Sequence, residues 1–507
     1  MTKKIFFWLG NDYTHYSLAY AFQKEYDYKL FAIIEVTEKP AEFFKTQKLV
    51  DFEKKWFFHE NVKKEFHKPD MEYLSRFEEK YKLDLWKLVQ NERMFLYYKN
   101  FYKYSPDEIL KILEQECRFF DKILEENKPD FLFIKLTGFH HQELLYQMCK
   151  NSGVKVQILT LAPFGQHCML MQDLARLDFA DEYKTIKSKD RSFEELRELN
   201  SKYNLSKQLH DQILTPGAGM MDAAKAGKKY FFSSSSKNAQ THYTYYGRTK
   251  FKVFKHYVKD YFLTKFRQSY INKNLETVLP SSEKFVFFPL HVEIERSLLI
   301  AAPFYTNQIE VIRSIAKALP INYKLYVKEH PGQIQRTWRS KSEYEQIMDI
   351  PNVVLLHPNV SQKELCEKCS LVVIIGAGTT GFEVSFYGKP VILFTDQYYS
   401  LLPSVRVLKN LEELPRIIRK SLTEKIEPSD LDKLVSLVEK NICKFDYGDF
   451  EMKYRNEFFY GGNLYDIEIS ESKMKSFLEK NIDTLNVLAD EHIKKIKRRY
   501  RRKIVSR

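Results

Sequence analysis

The stretch SLVVIIGAGTTGFEVSFYGKPVILF, residues 370–394, decides the class of fold. An apolar run at Leu371–Ile375 meets the glycine-rich turn Gly376–Gly381, a helix ends at Gly388, and a second apolar run follows at Val391–Thr395. Runs of Val and Ile without polar alternation are typical of parallel strands that helices cover on both faces. The stretch therefore predicts a strand–helix–strand unit of a parallel sheet.

The same alternation extends upstream of this stretch. The spacing predicts strands at Phe285–Leu290, Lys324–Lys328 and Asn352–Leu356, with a helix at Gln308–Leu319 between the first two. Strands that alternate with helices predict an α/β domain, and we place it at residues 283–405.

A second α/β domain is predicted at residues 1–278. It opens with a strand at Ile5–Leu9, a helix and a strand at Lys29–Val36, and strand character returns at Phe131–Lys135 and Val154–Thr160. Residues 41–128 carry charged and aromatic side chains at helical spacing, which predicts helical insertions. Residues 406–507 are predicted to form a mostly helical C-terminal region.

Length and composition agree with a multidomain globular protein. A chain of 507 residues exceeds the ~250–300 residues at which single cores stop growing. The apolar share of 44% excludes a disordered chain, and no apolar run approaches the ~18 residues of a membrane helix. The first apolar stretch is too short for a signal peptide, and six sparse cysteines favour the reducing cytoplasm.

Most of the positive charge lies at the end of the chain. Residues 492–507 hold nine Lys or Arg and no acid, and without them the net charge falls from +14 to +5. A mildly basic body does not predict nucleic-acid binding. Ile493, Ile496, Tyr500 and Ile504 recur at helical spacing, so the tail predicts a basic amphipathic helix that attaches to an anionic membrane surface.

Candidate phosphate donors follow the predicted strand Lys324–Lys328. Ligands of parallel sheets bind beyond the carboxyl ends of the strands. Lys328 and His330 lie at such an end, and Pro331 fixes the turn, which predicts a phosphate clamp. The alternative is that His330 only hydrogen-bonds a loop carbonyl.

The turn Gly376–Gly381 is the second candidate phosphate site. Gly378 leaves the main chain accessible, and Thr379 and Thr380 offer hydroxyls in the first turn of the helix. The alternative is a tight turn that needs its glycines for packing alone. Glu383, one turn further on, could accept hydrogen bonds from a ribose, and His291 follows a third strand.

The turn also fits the dinucleotide pattern G-x-G-x-x-G, with Asp396 twenty residues beyond Gly376. That pattern would predict a dehydrogenase. In dinucleotide-binding folds, however, the motif follows the first strand of its domain, whereas three predicted strands precede it here.

Three motifs in order resemble the capsule polysaccharide biosynthesis family: FFPLHVE, YKLYVKEHP and SLVVIIGAGTTGFEVSFYGKPVILF. The resemblance covers roughly residues 283–405. It implies a GT-B architecture with two Rossmann-like domains facing a cleft, a nucleotide-sugar donor bound by the C-terminal one, and no metal or cofactor. It places His330-Pro331 and Thr379-Thr380 on the donor phosphate and Glu383 on the sugar of the nucleotide.

The resemblance implies a glycosyltransferase that acts on a surface or capsule polysaccharide or its lipid-linked precursor, with CMP-Kdo-like donors in the better-known members. Where those members carry Gln and Asp-Ser, this chain has His291, Glu293 and Glu295, so the donor sugar is open. Other classes with this fold are a sugar-nucleotide epimerase, a glycerophosphotransferase and a non-catalytic glycan-binding protein.

A catalytic base would come from the N-terminal domain of a GT-B enzyme. The titratable residues that follow predicted strands there are Asp12, His140, His141 and Glu143. The alternatives are a helix cap for Asp12 and surface positions for the other three.

Overall fold

The computed structural model describes residues 2–65, 67–163, 167–202, 225, 227–229, 232, 242–279 and 283–505, with side chains to residue 497. The chain forms two compact units. The first unit contains the described residues within Met1–Gln172, Tyr203–Lys252 and Asn441–Arg507, and the second those within Asp173–Lys202 and Val253–Lys440.

The described residues form strands that we number in chain order. They are β1 (Lys4–Leu9), β2 (Lys29–Ile34), β3 (Lys54–Phe57), β4 (Phe131–Lys135), β5 (Lys155–Leu161), β6 (His167–Met171), β7 (Phe285–Pro289), β8 (Lys324–Lys328), β9 (Val353–Leu356), β10 (Leu371–Ile374), β11 (Val391–Leu393), β12 (Val405–Val407) and β13 (Ile442–Asp446).

The sheet of the first unit has the order β13-β6-β5-β4-β1-β2-β3. Strands β1 to β5 pair in parallel, whereas β6 is antiparallel to both β5 and β13. From Ile5 to Leu9 every side chain of β1 is buried, as expected for a central strand that is covered on both faces.

Helices cover this sheet and carry many of its core residues. Leu485, Leu488, Ile493 and Ile496 of the last helix pack in the same apolar cluster as Phe7 and Phe133 of the sheet. The helices of the first unit are Thr14–Glu25, Glu38–Thr46, Met71–Tyr81, Leu85–Val89, Arg93–Leu96, Pro106–Asn127, His140–Asn151, Tyr447–Phe458, Glu471–Lys480 and Ile482–Val505.

The sheet of the second unit has the order β12-β11-β10-β7-β8-β9, and all its strands are parallel. Counted within the unit, this order is 6-5-4-1-2-3, the strand order of the Rossmann fold. The chain therefore reverses its direction of winding between β7 and β10, and that switch point is where ligands of such sheets bind.

Two helices of the second unit illustrate how serine residues begin them. Ser340 and Glu343 form a capping box before Lys341–Met348, and Ser361 caps Gln362–Lys368. The helices are Phe193–Lys202, Lys250–Asn274, Arg296–Leu299, Gln308–Ala318, Lys341–Met348, Gln362–Lys368, Thr380–Ser385, Leu414–Ser421 and Pro428–Asn441.

The predicted α/β class is confirmed, with two Rossmann-like sheets of the kind expected for GT-B, helical insertions after β2 and a largely helical C-terminal region. The second sheet is parallel throughout, and the first is parallel except at β6 and β13. The compact units divide the chain differently from the predicted domains of residues 1–278, 283–405 and 406–507. Residues 253–278 join the second unit because Ile271 and Leu275 lie in its core, and 406–440 do so through Ile417 and Ile418. Residues 441–507 complete the first unit.

The basic tail is helical to Val505, as predicted. Its apolar stripe is not all exposed, however. Ile493 and Ile496 are buried in the core of the first unit and cannot contact a membrane, and the side chains of Tyr500 and Ile504 lie outside the described residues.

Candidate functional site

Residues of all three sequence motifs meet at the carboxyl edge of the second sheet. His291 follows β7, Lys328 ends β8, and Gly376 follows β10. Strand β7 lies between β8 and β10, so these turns are neighbours at the switch point. The predicted proximity of the motifs is a consequence of this strand order.

His291 is buried beneath the glycine-rich turn. The Gln308 side chain binds both its main-chain N–H and its carbonyl, at 2.8 and 3.0 Å. Its ring Nε2 is 3.5 Å from the N–H of Gly376. Burial, with the charges of His330 and Arg339, lowers the pKa of His291 to about 3, so the ring is neutral.

Lys328 belongs to a chain of polar side chains that joins two turns. Its Nζ donates to Gln362 Oε1 at 3.3 Å, and Gln362 Nε2 donates to Thr380 Oγ1 at 3.2 Å. Burial lowers the pKa of Lys328 to about 8, against a smaller raising effect of Cys366 and Glu383. The site thus holds a desolvated cation that an anionic ligand would stabilise.

Glu383 lies in the helix Thr380–Ser385, one turn beyond the predicted threonines. Burial raises the pKa of its carboxyl, while a hydrogen bond from Thr379 and the charge of Lys328 act in the opposite direction. Thr379 itself is exposed and makes no side-chain cap of the helix. Its hydroxyl is therefore not used for capping.

His330 is exposed and begins the short helix Pro331–Arg336. Its Nδ1 accepts the N–H of Gly332 at 3.0 Å, so the neutral ring carries its proton on Nε2. His330 does bond within its own loop, but it accepts a main-chain N–H, whereas the alternative expected a bond to a loop carbonyl; the bond fixes the orientation of the ring. Pro331 occupies the first helical position, where its missing N–H has no cost.

Arg339 holds the turns after β7 and β8 together, and the sequence pattern did not predict it. It is 3% exposed and donates Nε to Glu329 at 2.9 Å, Nη2 to the carbonyl of His291 at 2.7 Å, and Nη1 to Glu293. Glu329 is fully buried and also accepts from the hydroxyl of Tyr344 at 2.8 Å.

The glycines of the turn are required by packing at two positions. A Cβ at Gly376 would lie 2.6 Å from the carbonyl oxygen of Ser297, and one at Gly381 would lie 2.4 Å from the hydroxyl of Tyr399. At Gly378 a Cβ would be 3.0 Å from Ile374 and 3.3 Å from the ring of His291. Close packing therefore explains Gly376 and Gly381, and at Gly378 a side chain would crowd Ile374 and the ring of His291.

The dinucleotide interpretation is not favoured by this topology. The turn follows β10, and three strands of the unit precede it, as the sequence predicted. Asp396, which would bind a ribose in a dinucleotide site, lies 3.5 Å from Arg176.

In the first unit, Asp12 lies after β1 at the corresponding switch point. It forms an ion pair with Lys135 at 2.8 Å and accepts the N–H of Thr14, the first residue of its helix, at 3.0 Å. The N-cap position of that helix is Tyr13 and not Asp12. Burial raises the pKa of Asp12, but Lys135 and His15 outweigh it, so the pKa is lowered overall. An ion-paired carboxylate with a lowered pKa is a weak base.

His140 lies between two carboxylates and not at the surface. Its Nδ1 is 2.9 Å from Glu92 and its Nε2 is 2.8 Å from Glu116, and all three side chains are buried. Burial lowers the pKa of His140, but the two carboxylates raise it to about 10 overall. An imidazolium held by two acids cannot accept a proton.

His141 and Glu143 are also buried, which corrects the surface alternative. His141 contacts Glu35 at 2.6 Å through Nε2 and the hydroxyl of Tyr243 at 2.9 Å through Nδ1. Glu143 accepts the hydroxyl of Thr137 at 2.6 Å. The sequence analysis missed the partners of the two histidines because they lie far from His140 and His141 in the chain. These partners are Glu35, Glu92, Glu116 and Tyr243.

Glu116, His140 and His141 offer ligand atoms within 4.8 Å of one another. Two carboxylates already engage both ring nitrogens of His140, and Glu35 and Tyr243 engage those of His141. The arrangement is that of a buried ion-pair network. The prediction that the chain needs no metal stays a prediction.

Residues 199–403, which include all three motifs, match the family model described as capsule polysaccharide biosynthesis protein. The resemblance to this family is confirmed. No curated protein matches the sequence.

Solved structures with similarity to the chain include sugar-nucleotide enzymes. UDP-GlcNAc 2-epimerase from Neisseria meningitidis bound to UDP-GlcNAc is 11% identical with a TM-score of 0.27, over 86% of this chain and 99% of that one. S. aureus MnaA with UDP is 11% identical with a TM-score of 0.24, over 93% of this chain and 100% of that one. The beta Kdo 2,7 transferase KpsC of Thermosulfurimonas dismutans is 13% identical with a TM-score of 0.25, over 71% of this chain and 97% of that one. Likeness at these values says nothing of activity.

Among the residues that the structure describes, no helix combines the length and the apolar character that crossing a bilayer requires.

Proposed function

We propose that the chain is a glycosyltransferase that moves a sugar from a nucleotide-activated donor to a surface or capsule polysaccharide or its lipid-linked precursor. The observation that carries the proposal is the meeting of the three family motifs at the switch point of a sheet with Rossmann strand order. Nucleotides bind at such points, and this one holds a desolvated lysine.

The donor phosphate is assigned to the turns after β8 and β10. Lys328 supplies a charge whose desolvation a phosphate would offset, and His330 carries a proton on Nε2. Thr379 and Thr380 add hydroxyls, and Gly378, which is partly exposed and has no side chain, lets a phosphate approach the main chain. Glu383 is assigned to the ribose of the nucleotide, one turn further along the helix.

The transfer step needs no cofactor in this proposal. An acceptor hydroxyl attacks the anomeric carbon of the donor, the bond from that carbon to the phosphate oxygen breaks, and the pair of electrons leaves with the phosphate. Lys328 and the neighbouring donors stabilise the charge that develops there. Protein cations in this position do the work that a divalent metal does in other transferases, which is why we propose metal independence.

The four proposed base residues of the first unit differ in what their contacts allow. His140 is excluded as a base by its two carboxylates, and His141 and Glu143 are bound by buried partners. Asp12 is retained because it lies at the switch point of its sheet and its side chain is 17% exposed. It would accept the acceptor proton only after Lys135 moves away.

A thermal-shift panel of CMP, CDP, UDP, GDP and NAD tests nucleotide binding, since a ligand of the native state raises its stability. We expect one of the nucleotides without nicotinamide to give the largest shift. A preference for NAD would support the dehydrogenase alternative. Product analysis with labelled donor then separates transfer to an acceptor from epimerisation and from glycerophosphate transfer, and binding without turnover would indicate a glycan-binding protein.

A further inference from the structure

The helix Lys250–Asn274 has an exposed face of aromatic and lysine side chains. Phe251 is 75% exposed, Tyr257 71%, Phe262 66% and Phe266 65%. Phe254, Val258 and Tyr261 are also exposed. At 3.6 residues per turn these seven side chains cover about half of the helix circumference, and we call this surface the aromatic face.

The polar residues of this helix are sorted by charge. Lys252, Lys255, Lys259 and Lys265 are exposed beside or within the aromatic face. The one acid of the helix, Asp260, lies on the opposite side, where its Oδ2 is 2.7 Å from Nδ1 of His256. That opposite side holds the helix to the second unit, since Ile271 is fully buried and Arg267 donates to the carbonyl of Trp338 at 2.7 Å.

An exposed apolar surface of this extent on a folded protein marks an interaction site. Aromatic rings prefer the boundary between lipid chains and headgroups, and lysines beside them favour anionic headgroups. A helix with one face of this kind lies in the plane of a bilayer surface. We infer that the aromatic face binds the surface of an anionic phospholipid membrane.

Two other occupants fit the charge less well. A second copy of the chain would bring four exposed lysines against four others. Residues 203–241, which lie largely outside the described residues, contain five lysines and two aspartates, and so offer no excess of negative charge to pair with the face. The inference holds whether or not the chain transfers sugar.

Vesicle co-sedimentation of the full chain tests the inference. Wild type is expected to bind vesicles of equal parts phosphatidylglycerol and phosphatidylcholine, and to bind pure phosphatidylcholine at least tenfold more weakly. Phe251→Ser/Phe262→Ser/Phe266→Ser is expected to lower binding at least tenfold. Lys252→Glu/Lys255→Glu/Lys259→Glu is expected to lower it about fivefold or more for each lysine removed.

Matched controls separate the aromatic face from general surface effects. Phe304→Ser/Ile321→Ser removes comparably exposed apolar side chains elsewhere, and Lys363→Glu/Lys475→Glu reverses exposed lysines on other helices. Both are expected to bind as wild type does. Deletion of residues 498–507 measures the part of binding that belongs to the tail.

Three outcomes would overturn the inference. The first is a wild type that stays in the supernatant with anionic vesicles at low salt. The second is a triple serine variant that sediments like the wild type while circular dichroism shows both proteins folded. The third is a wild type that does not bind vesicles but forms dimers in light scattering, when the triple serine variant is monomeric. That result would assign the aromatic face to a second copy of the chain.

Discussion

Lys328 is a cation in a largely buried place, and its Nζ donates to the neutral amide of Gln362. Keeping it charged there has a cost to the free protein. A bound phosphate would remove that cost, so the same residue is expected to affect stability and binding in opposite directions.

Replacing Lys328 by Met is expected to leave the free energy of unfolding unchanged or to raise it, because a desolvated charge is removed. Nucleotide affinity is expected to fall by ~1.5–3 kcal/mol, the scale of a hydrogen bond to a charged group. Calorimetric titration with the best nucleotide of the panel measures the second effect. The control is Lys324→Met. It removes a partly exposed lysine that lies on the same strand as Lys328 and is paired with Glu283. Equal affinity of both variants would contradict the assignment.

The pH dependence of binding follows from the pKa of about 8. Below this pH Lys328 is charged and ready for phosphate, whereas above it the phosphate must bind together with a proton. Affinity is therefore expected to fall as pH rises from 7 to 9.5, approaching tenfold per pH unit at the upper end. Lys328→Arg, which stays charged, should flatten this profile. The same slope in both proteins would show that another group titrates.

His140 has a raised pKa, so its contribution to stability is fully present below pH ~6.5 and is lost as pH rises through about 10. His140→Gln leaves Glu92 and Glu116 without a cation and is expected to lower stability by ~3–5 kcal/mol. Urea unfolding followed by fluorescence reports this, since Trp8, Trp56 and Trp86 belong to the first unit. His67→Gln at an exposed position is the control, and an equal midpoint for both would contradict the network.

Among the site residues, sequence patterns predicted those that directly follow a strand. They did not predict the residues that hydrogen-bond to them. Lys328 and His330 were predictable because they follow an apolar run directly. Arg339 lies beyond a turn with no pattern of its own, and its partners His291 and Glu293 are more than forty residues away. Glu329 did offer a signal. It directly follows a buried strand, and an acid that is buried there needs a cation as its partner.

Among the elements, the turn after β10 is constrained by backbone and not by side chains. Gly376→Ala would place a Cβ 2.6 Å from the carbonyl oxygen of Ser297, which belongs to the main chain and cannot rotate away. We expect a loss of ~1–3 kcal/mol and weaker nucleotide binding, since overpacking shifts the backbone of the turn. Gly10→Ala, with no atom within 4 Å of its Cβ, should be close to neutral. Thermal unfolding with and without nucleotide compares the two.

Three of the strands that the sequence missed share weak local signals, and β6 was missed as well. Strand β3 begins with two lysines at the edge of its sheet, β12 has three residues, and β13 lies between two helices. Their pairing with β2, β11 and β6 comes from tertiary contacts. Central strands such as β1 and β10 were predictable because burial on both faces leaves an uninterrupted apolar run in the sequence.

For the whole molecule, local patterns revealed two α/β domains, but not that each is assembled from separate stretches of chain. A chain cut after Lys440 is expected to lose a folded first unit, because it lacks Phe445, Phe450 and Leu485 of the core and strand β13. Removing this much apolar burial exceeds the ~5–15 kcal/mol that stabilises a domain. Near-ultraviolet circular dichroism and limited proteolysis measure the loss.

Deletion of residues 498–507 alone is the control for that truncation, because it leaves Ile493 and Ile496 in place. It should keep the native spectrum. A chain ending at Lys440 that resists protease in residues 1–172 would show that the first unit is stable without its last strand.

The pairing of β13 with β6 also sets an order of events during synthesis. The ribosome delivers all of residues 173–440 before it makes β13 and the helices that follow, and at ~5–20 residues per second those last residues take several seconds more. Collapse of a chain is far faster than this. The second unit can therefore fold on the nascent chain while the aromatic side chains of the first unit are still exposed. We expect chaperones to bind the incomplete first unit until translation ends.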